Sequence, residues 1–383
     1  MREKVRIGVE GRVLTPRIGG IGRYAIHLIE ALLSLSARQC PDLEFVIFTA
    51  PQTDRTLVKD SGARLCERFR CIKSTLLRSS VLLRVGIWRE HIDVFHGLDQ
   101  SGIPLFFRAG KSVVTIHDVI PLVLPWAFPP RHRWVLATAL ARIRKQAEMV
   151  IVPSMAAAED VVRYLQVERE RIRVIPLGCE PRFQPIGEPT RAAAMRQRYD
   201  LPERYILFVG TLEPRKNVRT LLQAFAQVMA ETPQDDLTLV VAGGKGWGSE
   251  DYLATVDTLK LRNRVRFAGF VEDDLLPDLY RGALLFVYPS LYEGFGLPVL
   301  EAMACGTPVI TSNCTSLPEV AGDAALLVDP TRPEALAAAM TSIIYDGGLC
   351  QGLRAKGIAR ARAFTWNAVA EQTVAIYRAV GEG

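Results

Sequence analysis

Seven cysteines are scattered through 383 residues, and no two of them show a Cys-x-x-Cys spacing. An odd, dispersed set excludes a zinc ribbon and a disulfide framework and fits a reducing compartment. No stretch of about 18 uninterrupted apolar residues occurs, so no membrane span is expected. The first residues, MREKVRIGVEG, run into a strand-like pattern with no apolar signal core. The expected location is therefore cytoplasmic, or peripheral on the inner face of the plasma membrane. Zinc-finger spacing and RNA-binding aromatic motifs are also missing, which argues against nucleic acid as a partner.

What is present is globular: 49% of the residues are apolar and 23% charged, enough for two or three domains at roughly 100–200 residues each. Charge is unevenly spread. Residues 1–185 hold 28 Lys and Arg against 18 Asp and Glu, whereas residues 186–383 hold 19 against 23. Within the basic half, Arg64, Arg68, Arg70, Lys73, Arg78, Arg84 and Arg89 face only Glu67 and Glu90, with Leu76, Leu77, Val81, Leu82 and Ile87 between them. That mixture suits an anionic membrane surface or a lipid-linked ligand; an ordinary amphipathic surface helix gives the same pattern.

Short runs rich in Val, Ile and Phe alternate with segments of helical period, the pattern of parallel sheets covered by helices. The expected strands form two sets, 5–9, 44–49, 94–96, 112–116, 149–153 and 172–175, then 205–209, 237–242, 265–267, 284–288, 308–311 and 325–328. Between the sets, residues 178–189 carry three prolines and two glycines without a period and read as a linker. The domains are expected at 1–183 and 190–365, with 366–383 as a C-terminal helix and the whole span 334–379 helical. In doubly wound sheets ligands bind beyond the C-terminal strand ends, so functional residues are sought in the loops after strands.

Four loops answer that search. Gly19-Gly20-Ile21-Gly22 precedes a helical pattern and offers free amides to a phosphate, although some ten residues separate it from the first strand, unlike a dinucleotide fingerprint. His117-Asp118 follows the strand at 112–116; the histidine can meet a sugar hydroxyl, or the pair can bond locally and shape the turn. His96 reads as structural. After the strand at 205–209, Gly210 and Thr211 lead to adjacent Arg215 and Lys216 before a helix, a site for a diphosphate. Finally, Glu293-Gly294-Phe295-Gly296-Leu297-Pro298 places one acid on a glycine-bared loop, and Pro298 is expected to open a helix carrying Glu301 in its first turn.

At these residues the sequence resembles the retaining nucleotide-sugar glycosyltransferases of family 4. The resemblance runs through the Gly19-to-Tyr24 loop, His117-Asp118, Val174-Ile175-Pro176-Leu177-Gly178, Gly210 to Asn217, Val240-Val241-Ala242-Gly243, Phe267-Ala268-Gly269-Phe270-Val271 and the E-x7-E motif from Glu293 to Glu301. It implies the α/β GT-B fold: two Rossmann-like doubly wound parallel-sheet domains facing an interdomain cleft, the first binding acceptor and the second nucleotide sugar. It also implies residue roles. Glu293 would lie beside the donor sugar, Glu301 would take the ribose hydroxyls, and Arg215 and Lys216 would hold the diphosphate with the backbone of Gly294, Phe295 and Gly296, aided by Gly20. Leu297 and Gly210 would belong to the donor site, His117 would contact the transferred sugar, and Val271 would frame the base.

Arg23-Tyr24 and residues 115–122 look most similar to bacterial mannosyltransferases of surface-polysaccharide assembly, which points to GDP-mannose as donor and a saccharide or lipid-linked glycan as acceptor. No Asp-x-Asp pair occurs to hold a bridging metal, so the expectation is a reaction without metal or other cofactor. A UDP-sugar transferase and a non-catalytic glycan-binding subunit of the same fold are the alternatives. An NAD-dependent oxidoreductase is disfavoured because no glycine fingerprint adjoins a strand.

Overall fold

In the computed structural model the described residues are 4–14, 19–49, 64–66, 83–100, 111–127, 140–246 and 252–382. They form two compact units, one of residues 1–178 with 365–383 and one of residues 179–364.

The first unit is built on a parallel sheet of seven strands: β1 (Val5–Glu10), β2 (Leu43–Phe48), β3 (Arg64–Cys66), β4 (Val94–Gly97), β5 (Lys111–Thr115), β6 (Met149–Val152) and β7 (Ile172–Val174). Their order is β3-β2-β1-β4-β5-β6-β7, so the direction of winding reverses between β1 and β4. The central strands are short apolar runs because both faces are covered; every residue of β4 is buried. Helix Gly20–Gln39 places Tyr24, Ala25, Leu28, Ile29 and Leu32 on its buried side at helical spacing.

Helix Trp366–Glu382 belongs to this unit. Its Trp366 packs against Tyr24 and His27, with ring centroids 6.1 and 5.4 Å apart, and Tyr377 against Phe45 at 6.3 Å. Gly178 is needed for that return: a Cβ there would sit 2.5 Å from the Trp366 backbone nitrogen.

The second unit has a parallel sheet of β8 (Tyr205–Val209), β9 (Thr238–Ala242), β10 (Val265–Gly269), β11 (Leu285–Tyr288), β12 (Val309–Ser312) and β13 (Leu326–Val328). The order β10-β9-β8-β11-β12-β13 again reverses at the first strand. Helix Val218–Glu231 covers the sheet with Leu221, Leu222, Phe225 and Val228.

Two sequence expectations change. Arg64–Cys66 is an edge strand, not part of a basic helix; three residues carry too little pattern to show it. Arg68, Arg70, Lys73 and Arg78 lie outside the described residues, and helix Leu83–Arg89 bears Arg84 and Arg89 beside exposed Val85 and Trp88. The span 334–379 is three helices, Pro333–Tyr345, Gly347–Ala361 and Trp366–Glu382, the first break made by Asp346, whose carboxylate caps Leu349 N at 2.9 Å. Among the described residues no helix is long and apolar enough to cross a membrane.

Candidate functional site

In the second unit the candidate side chains gather where β8 and β11, neighbours at the winding reversal, end. The chain leaving β8 makes a short 3-10 turn, Pro214–Lys216, and Asn217 closes it in the left-handed conformation at φ 59°. Asparagine tolerates that backbone. Its side-chain amide then donates to Pro289 O at 3.1 Å and Pro330 O at 2.6 Å, which moors the turn to the loops after β11 and β13. Leu291 N and Ser290 Oγ also reach back to Arg215 O, at 2.8 and 3.1 Å.

These ties bring the two cations onto Glu293. Lys216 Nζ is 2.6 Å from Glu293 Oε1, and Arg215 Nη1 is 2.9 Å from Oε2. Ser290 Oγ and Tyr288 OH donate to the same Oε1, at 2.6 and 2.9 Å. Lys216 also donates to the Tyr288 hydroxyl and lies 4.8 Å from the ring centroid. Arg215 Nε meets Glu213 Oε2 at 2.9 Å, so two carboxylates balance two cations. Burial alone would push the Glu293 carboxyl up, but the charges of Arg215 and Lys216 and the hydrogen bonds from Lys216 and Ser290 hold it at about 2. Burial, with Arg215 adding to it, draws Lys216 below its ordinary value while Glu293 opposes the fall.

After Glu293 the loop is held by Ser316, whose Oγ donates to Phe295 O at 2.7 Å and lies 3.0 Å from Glu293 O, while Phe295 packs edge-on to Phe364 at 6.0 Å. Gly296 stands at φ 114°. The helix begins at Leu297 rather than Pro298 and runs to Ala304, so Glu301 is its fifth residue and lies beyond the first turn. That corrects the expectation: Glu301 is 2% exposed and accepts from Tyr280 OH at 3.0 Å. The N–H groups of Phe295, Gly296 and Leu297 donate to no protein group among the described residues, and they start a helix, where an anion is favoured.

Gly210 lies against Gly243. A Cβ on Gly243, which has φ 142°, would stand 1.9 Å from Gly210 O. The Val271 side chain is buried, whereas the preceding Phe270 is exposed.

The first unit carries His117 and Gly20. His117 Nε2 donates to Leu98 O at 3.0 Å, so Nδ1 is left as an acceptor, and burial lowers the imidazole below its ordinary value. The local Asp–His bond is not made; Asp118 Oδ1 instead accepts from Ile120 N at 3.1 Å. His96 is structural, with Nδ1 2.6 Å from Tyr377 OH and Nε2 2.9 Å from Thr115 Oγ1, and burial holds it neutral at about 3. Gly20 opens its helix in the open: a Cβ there would meet nothing within 4 Å.

Sequence reasoning missed Tyr288, Ser290, Ser316 and Glu213. Their only signal was a strand end followed by polar loop residues. Among the described residues no three His, Cys, Asp or Glu side chains gather as metal ligands would.

Known proteins resemble the chain along both units. Residues 18–183 match the family described as Glycosyltransferase Family 4, and residues 193–362 match Glycosyl transferases group 1. The chain is 33% identical to O-antigen chain mannosyltransferase B of Escherichia coli over 94% of this chain and 96% of that protein. It is 31% identical to a serotype-specific mannosyltransferase WbdA of Escherichia coli, over 90% of this chain and 42% of that protein. Among solved structures, sucrose-phosphate synthase from Thermosynechococcus elongatus superposes with a TM-score of 0.74 at 25% identity, covering 98% of each chain. Anabaena HepE in complex with UDP and glucose superposes at 0.76 and 21% identity, covering 98% of this chain and 100% of that one.

Proposed function

The chain belongs to glycosyltransferase family 4 and has the GT-B fold, and we propose that it transfers mannose from GDP-mannose, with retention of anomeric configuration, to a saccharide or lipid-linked glycan. The observation that carries the choice of mannose is the likeness to O-antigen chain mannosyltransferase B, which extends through both units.

In this reading the second unit binds the donor. Glycosyl transfer builds negative charge on the departing diphosphate, so fixed cations and helix-start amides there lower the barrier. Arg215 and Lys216 supply the cations, and Phe295, Gly296 and Leu297 supply the amides. Glu293 keeps both cations in place before the donor arrives and stays ionised at any working pH, since its carboxyl sits at about 2. Glu301 takes the ribose hydroxyls, and Phe270-Val271 meet the base. With two cations neutralising the diphosphate, no divalent ion is required. On the first unit, His117 Nδ1 accepts from a sugar hydroxyl.

Calorimetric titration with GDP, UDP and NAD tests the donor. GDP is expected to bind at least tenfold more tightly than UDP, with NAD not binding; tighter binding of UDP, or binding of NAD alone, overturns the assignment.

The same reading places the enzyme at a membrane surface, supported by Arg84, Arg89, Val85 and Trp88 exposed on one short helix. Each cation near an anionic surface is worth about 1 kcal/mol. Replacing Arg84 and Arg89 with Gln should therefore weaken binding to phosphatidylserine vesicles roughly thirtyfold, with transfer to a soluble acceptor unchanged. Unaltered vesicle binding would leave this helix as ordinary surface.

A further inference from the structure

Among the described residues, six other than glycine have positive φ: His91, Gln166, Asp200, Asn217, Lys260 and Thr315. The first five each stand within two residues of the end of a helical segment, where a left-handed residue is a common stop. Thr315, at φ 56°, ends no helix; it lies between β12 and helix Leu317–Ala321. It is also the one β-branched residue of the six. Such a side chain is strained in that conformation, which glycine would adopt freely. Outliers of this kind persist where the surroundings hold them, and they cluster at functional sites.

What holds Thr315 is the loop that carries Glu293. After β12 the chain lays one side chain after another on that loop's main chain. Ser312 Oγ donates to Ser290 O at 2.7 Å, Cys314 Sγ to Leu291 O at 3.6 Å, and Ser316 Oγ to Phe295 O at 2.7 Å. Those three meet carbonyls. Thr315 Oγ1 falls between the last two and accepts from Glu293 N at 3.3 Å. In an extended chain successive side chains point to opposite sides, so the left-handed turn at 315 is what lets residues 314, 315 and 316 reach the same loop.

We propose that Thr315 is a positioning residue for transfer: its hydroxyl fixes the Glu293 amide and so keeps Glu293, its two cations and the Phe295-to-Leu297 amides set for the donor diphosphate. This rests on the reading of the second unit as a nucleotide-sugar site, and adds to it the residue that sets the loop's geometry. Lys216 Nζ at 2.6 Å and Arg215 Nη1 at 2.9 Å hold the Glu293 carboxylate; Thr315 holds its main chain. Both ends of the residue are then fixed before the donor arrives, and displacement of such a group by an ångström is enough to slow a reaction by about 10²-fold.

The test uses the full chain, GDP titration, transfer from GDP-mannose to octyl α-mannoside, and the variants Thr315→Gly, Thr315→Val and Thr315→Ser, with Asn313→Ala, exposed in the same turn, as control. Glycine accepts the backbone conformation and valine keeps the side-chain shape, but neither has the hydroxyl. Each should lower kcat about tenfold and weaken GDP binding about threefold, the loss of one hydrogen bond, with acceptor KM and circular dichroism unchanged. Thr315→Ser should keep both quantities within about twofold of wild type, and Asn313→Ala should change neither. Wild-type kcat and GDP affinity in Thr315→Gly overturn the inference, as does a Thr315→Ser enzyme as slow as Thr315→Gly, or a rise in acceptor KM that accompanies the loss of kcat. A wild-type enzyme that binds GDP but transfers no mannose contradicts the choice of sugar alone, and the GDP affinities of the variants then decide. A wild-type enzyme that binds neither GDP nor UDP contradicts the diphosphate reading, and the inference falls with it.

Discussion

Lys216→Ala is expected to lower kcat by a factor on the order of 10² to 10³, the loss usual when one preorganised group facing a developing negative charge is removed. Two effects combine. The variant loses one of two cations available to the diphosphate, and it leaves Glu293 buried with Arg215 as its single ionic partner. The second effect reads out in stability. Glu293 is held at about 2 in the fold, so its ionised form contributes stability above its unfolded value and loses it as pH falls toward 2; the difference is worth about 3 kcal/mol. Without Lys216 the carboxyl rises, and acid unfolding should begin at higher pH than in the wild type. Single-turnover transfer assays and acid titration followed by circular dichroism measure the two effects separately. Near-wild-type turnover would remove Lys216 from the diphosphate, and an unshifted acid limb would mean that Arg215 alone holds Glu293 down.

Gly243→Ala is expected to cost about 4 kcal/mol and to lower the melting temperature by about 10 °C. The new Cβ would lie 1.9 Å from Gly210 O and 2.6 Å from Gly210 C, both main-chain atoms, at a backbone φ of 142°. Neither strand can yield, because Gly210 N bonds Ala242 O at 2.9 Å and Gly243 N bonds Gly269 O at 2.7 Å, which pins three neighbouring strand ends. Gly244→Ala is the control, since a Cβ there meets nothing within 4 Å, and it should change stability by under about 0.5 kcal/mol. Differential scanning calorimetry on both variants decides; equal melting temperatures would mean that the close approach of Gly243 and Gly210 does not constrain the fold.

The parallel sheets were legible because buried strands need unbroken Val, Ile and Phe runs, as at Tyr205–Val209 and Leu285–Tyr288. Arg215, Lys216 and Glu293 were legible because charged residues on glycine-rich loops between a strand and a helix are hard to explain otherwise. Tyr288 and Ser290 were not, since a strand-end tyrosine and a loop serine show nothing until the fold puts both hydroxyls on one carboxylate. Glu301 was misplaced by one position of helix register, because Leu297 rather than Pro298 takes the first helical place.

Transfer from GDP-mannose to octyl α-mannoside in excess EDTA, with the product read by mass and proton NMR, decides whether the chain is a metal-free retaining mannosyltransferase. An α-linked mannosyl product is expected, formed at the same rate with and without the chelator. A product formed only when a divalent ion is restored, a β-linked product, or no product from GDP-mannose while another nucleotide sugar is consumed would contradict it.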